Sequence, residues 1–153
     1  MLNQTLYLIS ITFLPFLELR ASIPYGINVL KMPWPTVFIV CVIANIILGI
    51  IIYFMLDKFV HFFLRYKIFS VPYKKIVLRT QKKIQKSVDK YGELGVALFI
   101  GVPWPGTGVY SGALGAYVIG LKLKKFIIAD IIGVLIAGAI VTIISTGVLQ
   151  LTT

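Results

Sequence analysis

Glu18 and Arg20 stand two residues apart in an apolar stretch that runs from about residue 5 to about residue 30, between Pro15 and Pro24. A carboxylate beside a guanidinium offers two chemistries. The guanidinium is planar and permanently charged, and can grip a phosphate or carboxylate through paired N–H donors. The carboxylate either neutralises it or carries a proton whose release is tied to occupancy of the site, a recurrent use of buried acids in transporters. A charge at mid-bilayer costs about 2.5 to 3.5 kcal/mol, so two together need a reason. In a continuous helix positions i and i+2 point about 200° apart, which would turn one of them towards lipid. The spacing therefore predicts a break. Pro24 lacks an amide donor and its ring clashes with the carbonyl of residue 20. Residues 18–24 are expected to leave the helix, and a new helix to start near Pro24 with Ser22 as its cap. The free amides and positive dipole end of that helix would face the break.

A second constellation, Val102-Pro103-Trp104-Pro105-Gly106-Thr107-Gly108, cannot be helical. Trp104 precedes a proline and is pushed towards extended geometry. Gly106 and Gly108 allow close backbone approach, and Thr107 can cap the helix after it. The result is an uncharged cradle rich in donors, with Gly112, Gly115 and Ala116 letting the return helix pack tightly. The candidate substrate-binding residues are thus Glu18, Arg20, Ser22, Pro24, Pro103, Pro105, Gly106, Thr107 and Gly108, with Glu18 the candidate proton-coupling group. Glycine-rich packing without ligand contact is the competing reading of the second break. No nucleophile–base pair and no metal-ligand set is visible, so neither an enzyme nor a cofactor is expected. The single cysteine, Cys41, excludes an intramolecular disulfide and a cysteine-based metal cluster. His61 has no ligand partners nearby and reads as a surface residue.

These residues must be positioned by membrane elements. The chain is 59% hydrophobic and 13% charged, with a mean hydropathy of +0.97, which leaves no room for a soluble catalytic domain. It reads as one small membrane domain, 1–153, in four apolar blocks. Block one, 5–30, is broken; block two, 36–56, is uncharged and long enough to span. A connector, 57–92, comes next. Block three, 94–121, is broken and block four, 126–151, is again smooth. The order broken–smooth repeats, and a shift of 88 residues places Pro15 on Pro103, Phe16 on Trp104, Arg20 on Gly108 and Phe38 on Phe126. Ten of the fifteen basic residues fall between Lys58 and Lys90. This bias, with Lys122, Lys124 and Lys125, puts both ends of block three in the cytoplasm. Block three must then enter and return. The expected fold is an all-α integral membrane protein of two inverted repeats. Each repeat is a re-entrant helical hairpin followed by a transmembrane helix, and a basic amphipathic cytoplasmic helix joins the two. Paired interrupted segments in such a repeat point to a transporter site at the midplane. Four plain spanning helices with proline kinks are the alternative, but they put the connector and the lysine cluster on opposite faces.

In the connector, Val77, Ile84, Val88 and Tyr91 recur near helical spacing among seven basic residues, Lys74, Lys75, Arg79, Lys82, Lys83, Lys86 and Lys90, after Pro72 as a start signal. An anionic membrane surface suits it better than nucleic acid. Asp130, near Lys124 and Lys125, reads equally as interfacial or functional, and Asn45 as an interhelical hydrogen-bonding group. Ala129, Gly133 and Ala137 form a small-residue ridge for packing against the other half or against a second copy in a homodimer. No basic residue precedes Arg20 and no small-residue cleavage pattern is present, so a removable signal peptide is not expected.

Glu18-Leu19-Arg20-Ala21-Ser22-Ile23-Pro24-Tyr25-Gly26, together with the second-break motif, resembles the small multi-drug export protein family over nearly the whole chain. That family resembles in turn a short relative of the DedA (SNARE-associated, VTT-domain) superfamily, whose extra helices this chain lacks. The resemblance implies two re-entrant hairpins, an embedded acidic–basic pair at Glu18 and Arg20, a plasma-membrane location and movement of lipid carriers such as polyprenyl phosphates. The leading expectation is a transporter or flippase for a lipid with an anionic head group, with proton coupling left open. A proton-coupled exporter of small lipophilic drugs is the second expectation, and a structural or chaperone-like membrane factor the third. Substrate, direction, coupling ion and oligomeric state stay open at this point.

Overall fold

The computed structural model describes the backbone of residues 2–15, 17–64, 79–104 and 106–152, and the side chains of these except at 2, 60–89 and 148–152. Six helices account for most of it: α1 Leu2–Thr12, α2 Glu18–Pro24, α3 Trp34–Leu64, α4 Arg79–Gly101, α5 Val109–Val118 and α6 Leu123–Thr152. A π-helical turn, Tyr25–Val29, extends α2. No strand occurs among the described residues. Two stretches are long and apolar enough to cross a membrane, Trp34–Phe59 in α3 and Leu123–Gly147 in α6. At about 1.5 Å per residue, the 11 residues of α1 and the 10 of α5 reach only about half of a hydrocarbon layer roughly 30 Å thick.

Local chemistry sets the helix ends. Pro35 occupies the first turn of α3, where a missing amide costs nothing, and the Pro33 carbonyl accepts from Thr36 and Val37. At the end of α5, Gly120 takes φ 77°. The Leu121 amide then reaches back to the Ala116 carbonyl at 2.9 Å, a glycine-dependent helix stop. Tyr53 of α3 locks this corner. Its hydroxyl donates to the Leu121 carbonyl at 2.5 Å and its ring stacks on Phe126 at 4.8 Å.

α6 packs along both α4 and α3. The ridge of Ala129, Gly133 and Ala137 is buried within the chain: a Cβ built on Gly133 would lie 2.7 Å from the Ala97 carbonyl oxygen of α4. Gly112 lets α5 lie against Ile100, and Ala116 is fully buried, whereas Gly115 faces open space.

The structure corrects two expectations from the sequence. The first break does not fall at 18–24. Residues 18–24 are helical, and the chain turns instead between Thr12 and Glu18. Pro24 is tolerated inside a helix because the backbone re-pairs around it. The Tyr25 amide bonds the carbonyls of Ala21 and Ser22, and the Leu30 amide reaches the Tyr25 carbonyl in π register. Ser22 is therefore not a cap. It lies buried in mid-helix, donating to the Glu18 carbonyl at 3.1 Å and accepting from the Thr12 hydroxyl at 2.7 Å. On either side of the expected connector the helices are continuous: α3 runs on to Leu64 and α4 runs unbroken across residues 92–94. Ile84, Val88 and the basic residues from Arg79 to Lys90 fall on α4. Pro72, Lys74, Lys75 and Val77 lie outside the described residues, as do the side chains of His61, Ile84 and Val88.

Enlarging Gly133 to leucine should destabilise the α4–α6 contact by about 1 to 3 kcal/mol, the usual cost of overpacking. Gly115→Ala, with nothing within 4 Å of the new Cβ, should leave stability unchanged or raise it by up to about 1 kcal/mol through helix propensity. Thermal unfolding of the detergent-solubilised variants measures both.

Candidate functional site

The charges of the first half are spent on the helix ends of the second. α4 ends at Gly101, and the chain then runs through 102–108 before α5 begins. That break leaves carbonyls bare at the end of α4 and amides bare at the start of α5. The Arg20 guanidinium covers the carbonyls. Its Nη1 donates to the carbonyl oxygens of Trp104 at 2.5 Å and Thr107 at 2.7 Å. Its Nη2 donates to the Val102 carbonyl at 3.0 Å and the Thr107 hydroxyl at 2.8 Å, with a longer contact of 3.5 Å to the Ile100 carbonyl. The Glu18 carboxylate covers the amides. Oε2 accepts from Val109 N–H at 3.1 Å and Oε1 from Tyr110 N–H at 3.2 Å. Cation thus meets the negative end of α4, and anion the positive end of α5.

Two backbone features let a pair at i, i+2 do this. Glu18 opens α2 with φ 48°, a left-handed conformation rare for a non-glycine residue. It takes the carboxylate out of ordinary helical register with Arg20. On the other side, Gly108 has φ 127°, and a Cβ there would come within 2.5 Å of Glu18 Oε2. The carboxylate therefore rests on bare backbone, and only glycine satisfies both the angle and the space.

The other expected site residues divide. Thr107 is at the joint but does not cap α5, whose N-cap is Gly108 without a side-chain bond. The hydroxyl instead lies 2.7 Å from the Val102 carbonyl and 2.8 Å from the Trp104 carbonyl while accepting from Arg20. Gly106, at φ 88°, gives the turn its left-handed residue with open space around it. Pro103 is exposed on the loop. Pro105 lies outside the described residues. Pro24 and Ser22 belong to the body of α2 and do not reach the second break. Asp130 is fully buried on α6, and neither carboxylate oxygen has a hydrogen-bond partner. Asn45 is buried too, its Oδ1 unpartnered.

Tyr110 was missed by sequence reasoning. Its hydroxyl donates to the Phe13 carbonyl in the first break at 2.7 Å, so one residue binds Glu18 through its amide and closes the opposite break through its side chain. A tyrosine in the first turn after a helix-starting glycine in an apolar block is the signal: it carries a polar tip that burial obliges to find a partner. Beside this joint lies a cavity of about 180 Å³ lined by Pro15, Glu18, Gly106, Thr107, Tyr110 and Ser111. A larger one, of about 620 Å³, opens elsewhere, between the corner preceding α3 and the far part of α6, and is lined by Ile27, Lys31, Met32, Trp34, Thr142, Ile143 and Thr146. No group of three His, Cys, Asp or Glu side chains able to hold a metal gathers among the described residues.

An all-helical membrane protein, with two spanning-length helices and two short broken segments knotted together by a buried carboxylate and a half-buried guanidinium, is the class that fold and joint define. Within it, the chain belongs to the family described as "Putative small multi-drug export protein", whose model matches residues 18–140. The match begins at Glu18 and takes in the second break whole. No curated protein and no solved structure matches the chain.

Arg20→Ala should remove the guanidinium's bonds to the Val102, Trp104 and Thr107 carbonyls and lower stability by several kcal/mol, since each charge-assisted hydrogen bond contributes about 1.5 to 3 kcal/mol. Arg20→Lys should recover only part, because an ammonium lacks the planar fork. Gly108→Ala should be comparably damaging, while Tyr110→Phe should cost about 1 to 3 kcal/mol from the orphaned Phe13 carbonyl. Chemical denaturation in micelles orders the four variants.

Proposed function

We propose that this protein exports small lipophilic compounds across the plasma membrane, and that the 620 Å³ cavity at the α3–α6 end is where they bind. The cavity carries the reading. Its volume lies inside the range of small-molecule sites, about 300 to 1,000 Å³. Its wall is largely apolar, with the Thr142 and Thr146 hydroxyls and the Lys31 ammonium as the few polar groups such sites use for orientation. Thr142 Oγ1 is buried without a hydrogen-bond partner, a polar group in the cavity wall that becomes available only if the wall shifts on binding. Lys31 selects neutral or anionic compounds over cations. The family description points the same way. An anionic-lipid carrier is less well supported, because its motivating groups have other work: Arg20 is occupied by carbonyls, and the α5 amides by Glu18.

The reading includes a topology. α1–α2 and α4–α5 sit as re-entrant hairpins in two inverted copies, with the basic segment on the cytoplasmic side. Its supports are the shortness of α1 and α5 and the 88-residue shift. That shift carries Trp34, the first residue of α3, to Lys122, beside the start of α6, and carries Glu18 at φ 48° to Gly106 at φ 88°.

Proteoliposomes loaded with the lipophilic anion anilinonaphthalene sulfonate should release it on imposing a proton gradient, and should release the cation ethidium at least several-fold more slowly. Thr142→Trp, which fills the cavity, should abolish release. Retention of both dyes by folded, correctly reconstituted protein would exclude drug export.

A further inference from the structure

Asp130 takes no part in the joint between the breaks, yet it is the most deeply enclosed acid among the described residues. It lies in the first third of α6, fully buried, and neither Oδ1 nor Oδ2 has a hydrogen-bond partner. Its carboxyl faces α3 at Gly49: a Cβ built there would sit 2.5 Å from Oδ2 and 2.8 Å from both Cγ and Oδ1. One turn along the same face of α3 stands Asn45, 1% exposed, with an unpartnered Oδ1. Three buried oxygens on two packed helices thus lack a donor. A bare carboxylate loses its hydration in such a place with nothing to replace it, so such groups take up a proton, a cation or a partner. The glycine backbone pressed against the carboxyl leaves little room for a coordinated metal ion on that side, and a proton needs none.

We propose that Asp130 is an exchangeable proton-binding site between α3 and α6. In the packed arrangement the carboxyl holds the proton. When the two helices part, the O–H bond breaks, the electron pair stays on the carboxylate oxygen and the proton passes to entering water. The surroundings are electrically simple. Glu18 of α2 is the charged group acting on Asp130 across the α2–α6 contact, and Arg20 on the same helix is held by the second break. α3 carries no charge from Trp34 to Leu56, and α4 none over 94–101, where Ala97 and Ile100 meet α6. α5 and the π-turn carry none at all. The proton site rests on the export reading and deepens it by supplying its coupling group. It reassigns that role from Glu18, which acts as an acceptor cap on α5.

Infrared spectroscopy of the full chain in nanodiscs tests it without any substrate, so failure of the export reading would leave the result standing, and the reverse. The carbonyl stretch of a neutral carboxylic acid should be present at low pH, should be lost in Asp130→Asn, and should disappear as pH rises between about 5 and about 9, the span in which a coupling acid must exchange. Should Asp130→Asn not fold, Gly49→Ala keeps the acid but displaces it, and the band must then move. Absence of the band at every pH, a band indifferent to pH, or a band unmoved by Gly49→Ala would each overturn the proposal. So would loss of the band on adding sodium at fixed low pH, which would make this a metal-cation site.

Discussion

Helix ends carry amides and carbonyls that the helix itself cannot pair, and the architecture of this protein depends on how that need is met. The break between α4 and α5 exposes carbonyls on one side and amides on the other. Arg20 and Glu18 answer each with the charge of the right sign. Neither partner is stable alone. Two charges cost about 2.5 to 3.5 kcal/mol each at mid-bilayer, and an unsatisfied backbone group in hydrocarbon costs several kcal/mol. Brought together they form six hydrogen bonds to charged groups, at about 1.5 to 3 kcal/mol each. Halved for the partial exposure of Arg20, that sum is about 4.5 to 9 kcal/mol, of the same size as the insertion penalty of about 5 to 7 kcal/mol, before the spared backbone groups are counted. The halves of the chain are therefore joined by reciprocal need as well as by packing.

On the export reading, substrate chemistry falls to places other than this joint. Its donors and acceptors are consumed internally, and the cavity beside it is small. The drug-sized space lies instead where Lys31 turns the chain at φ 52° into α3, against Thr142 and Thr146 of α6. Between joint and cavity runs the contact of α3 with α6, which contains Asn45, Gly49 and Asp130. A rigid knot at one place, an open cavity at another and an enclosed acid between them are the parts that coupled transport needs, arranged along the two longest helices.

Much of this could be read from residue types. The runs without charge in α3 and α6 gave spanning helices, and the prolines and glycines of 102–108 could only be a break. Glu18 and Arg20 were visible as a pair because charge is costly in lipid. Their partners were not, since backbone carbonyls and amides leave no signature in side-chain identity and sit more than eighty residues away. The first break was misplaced for a similar reason. Pro24 signals an interruption, but a π-turn that re-pairs the backbone around it depends on tertiary context. The turn at 13–17 is marked by Pro15 alone. Asp130 stayed undecided between two roles because the lysines nearby in sequence say nothing of Gly49, its neighbour in space on α3.

The distance along the chain between the charges and their partners has a consequence for biosynthesis. Arg20 leaves the ribosome 84 residues before Trp104 and 87 before Thr107. At common elongation rates of about 5 to 20 residues per second, α2 waits on the order of ten seconds with both charges unmatched. During that interval the carboxylate and guanidinium of α2 have none of the backbone partners that hold them in the finished fold. Burial of the first half is thus timed by synthesis of the second, and a chain truncated before residue 110 would be left with its two most costly residues and nothing to receive them.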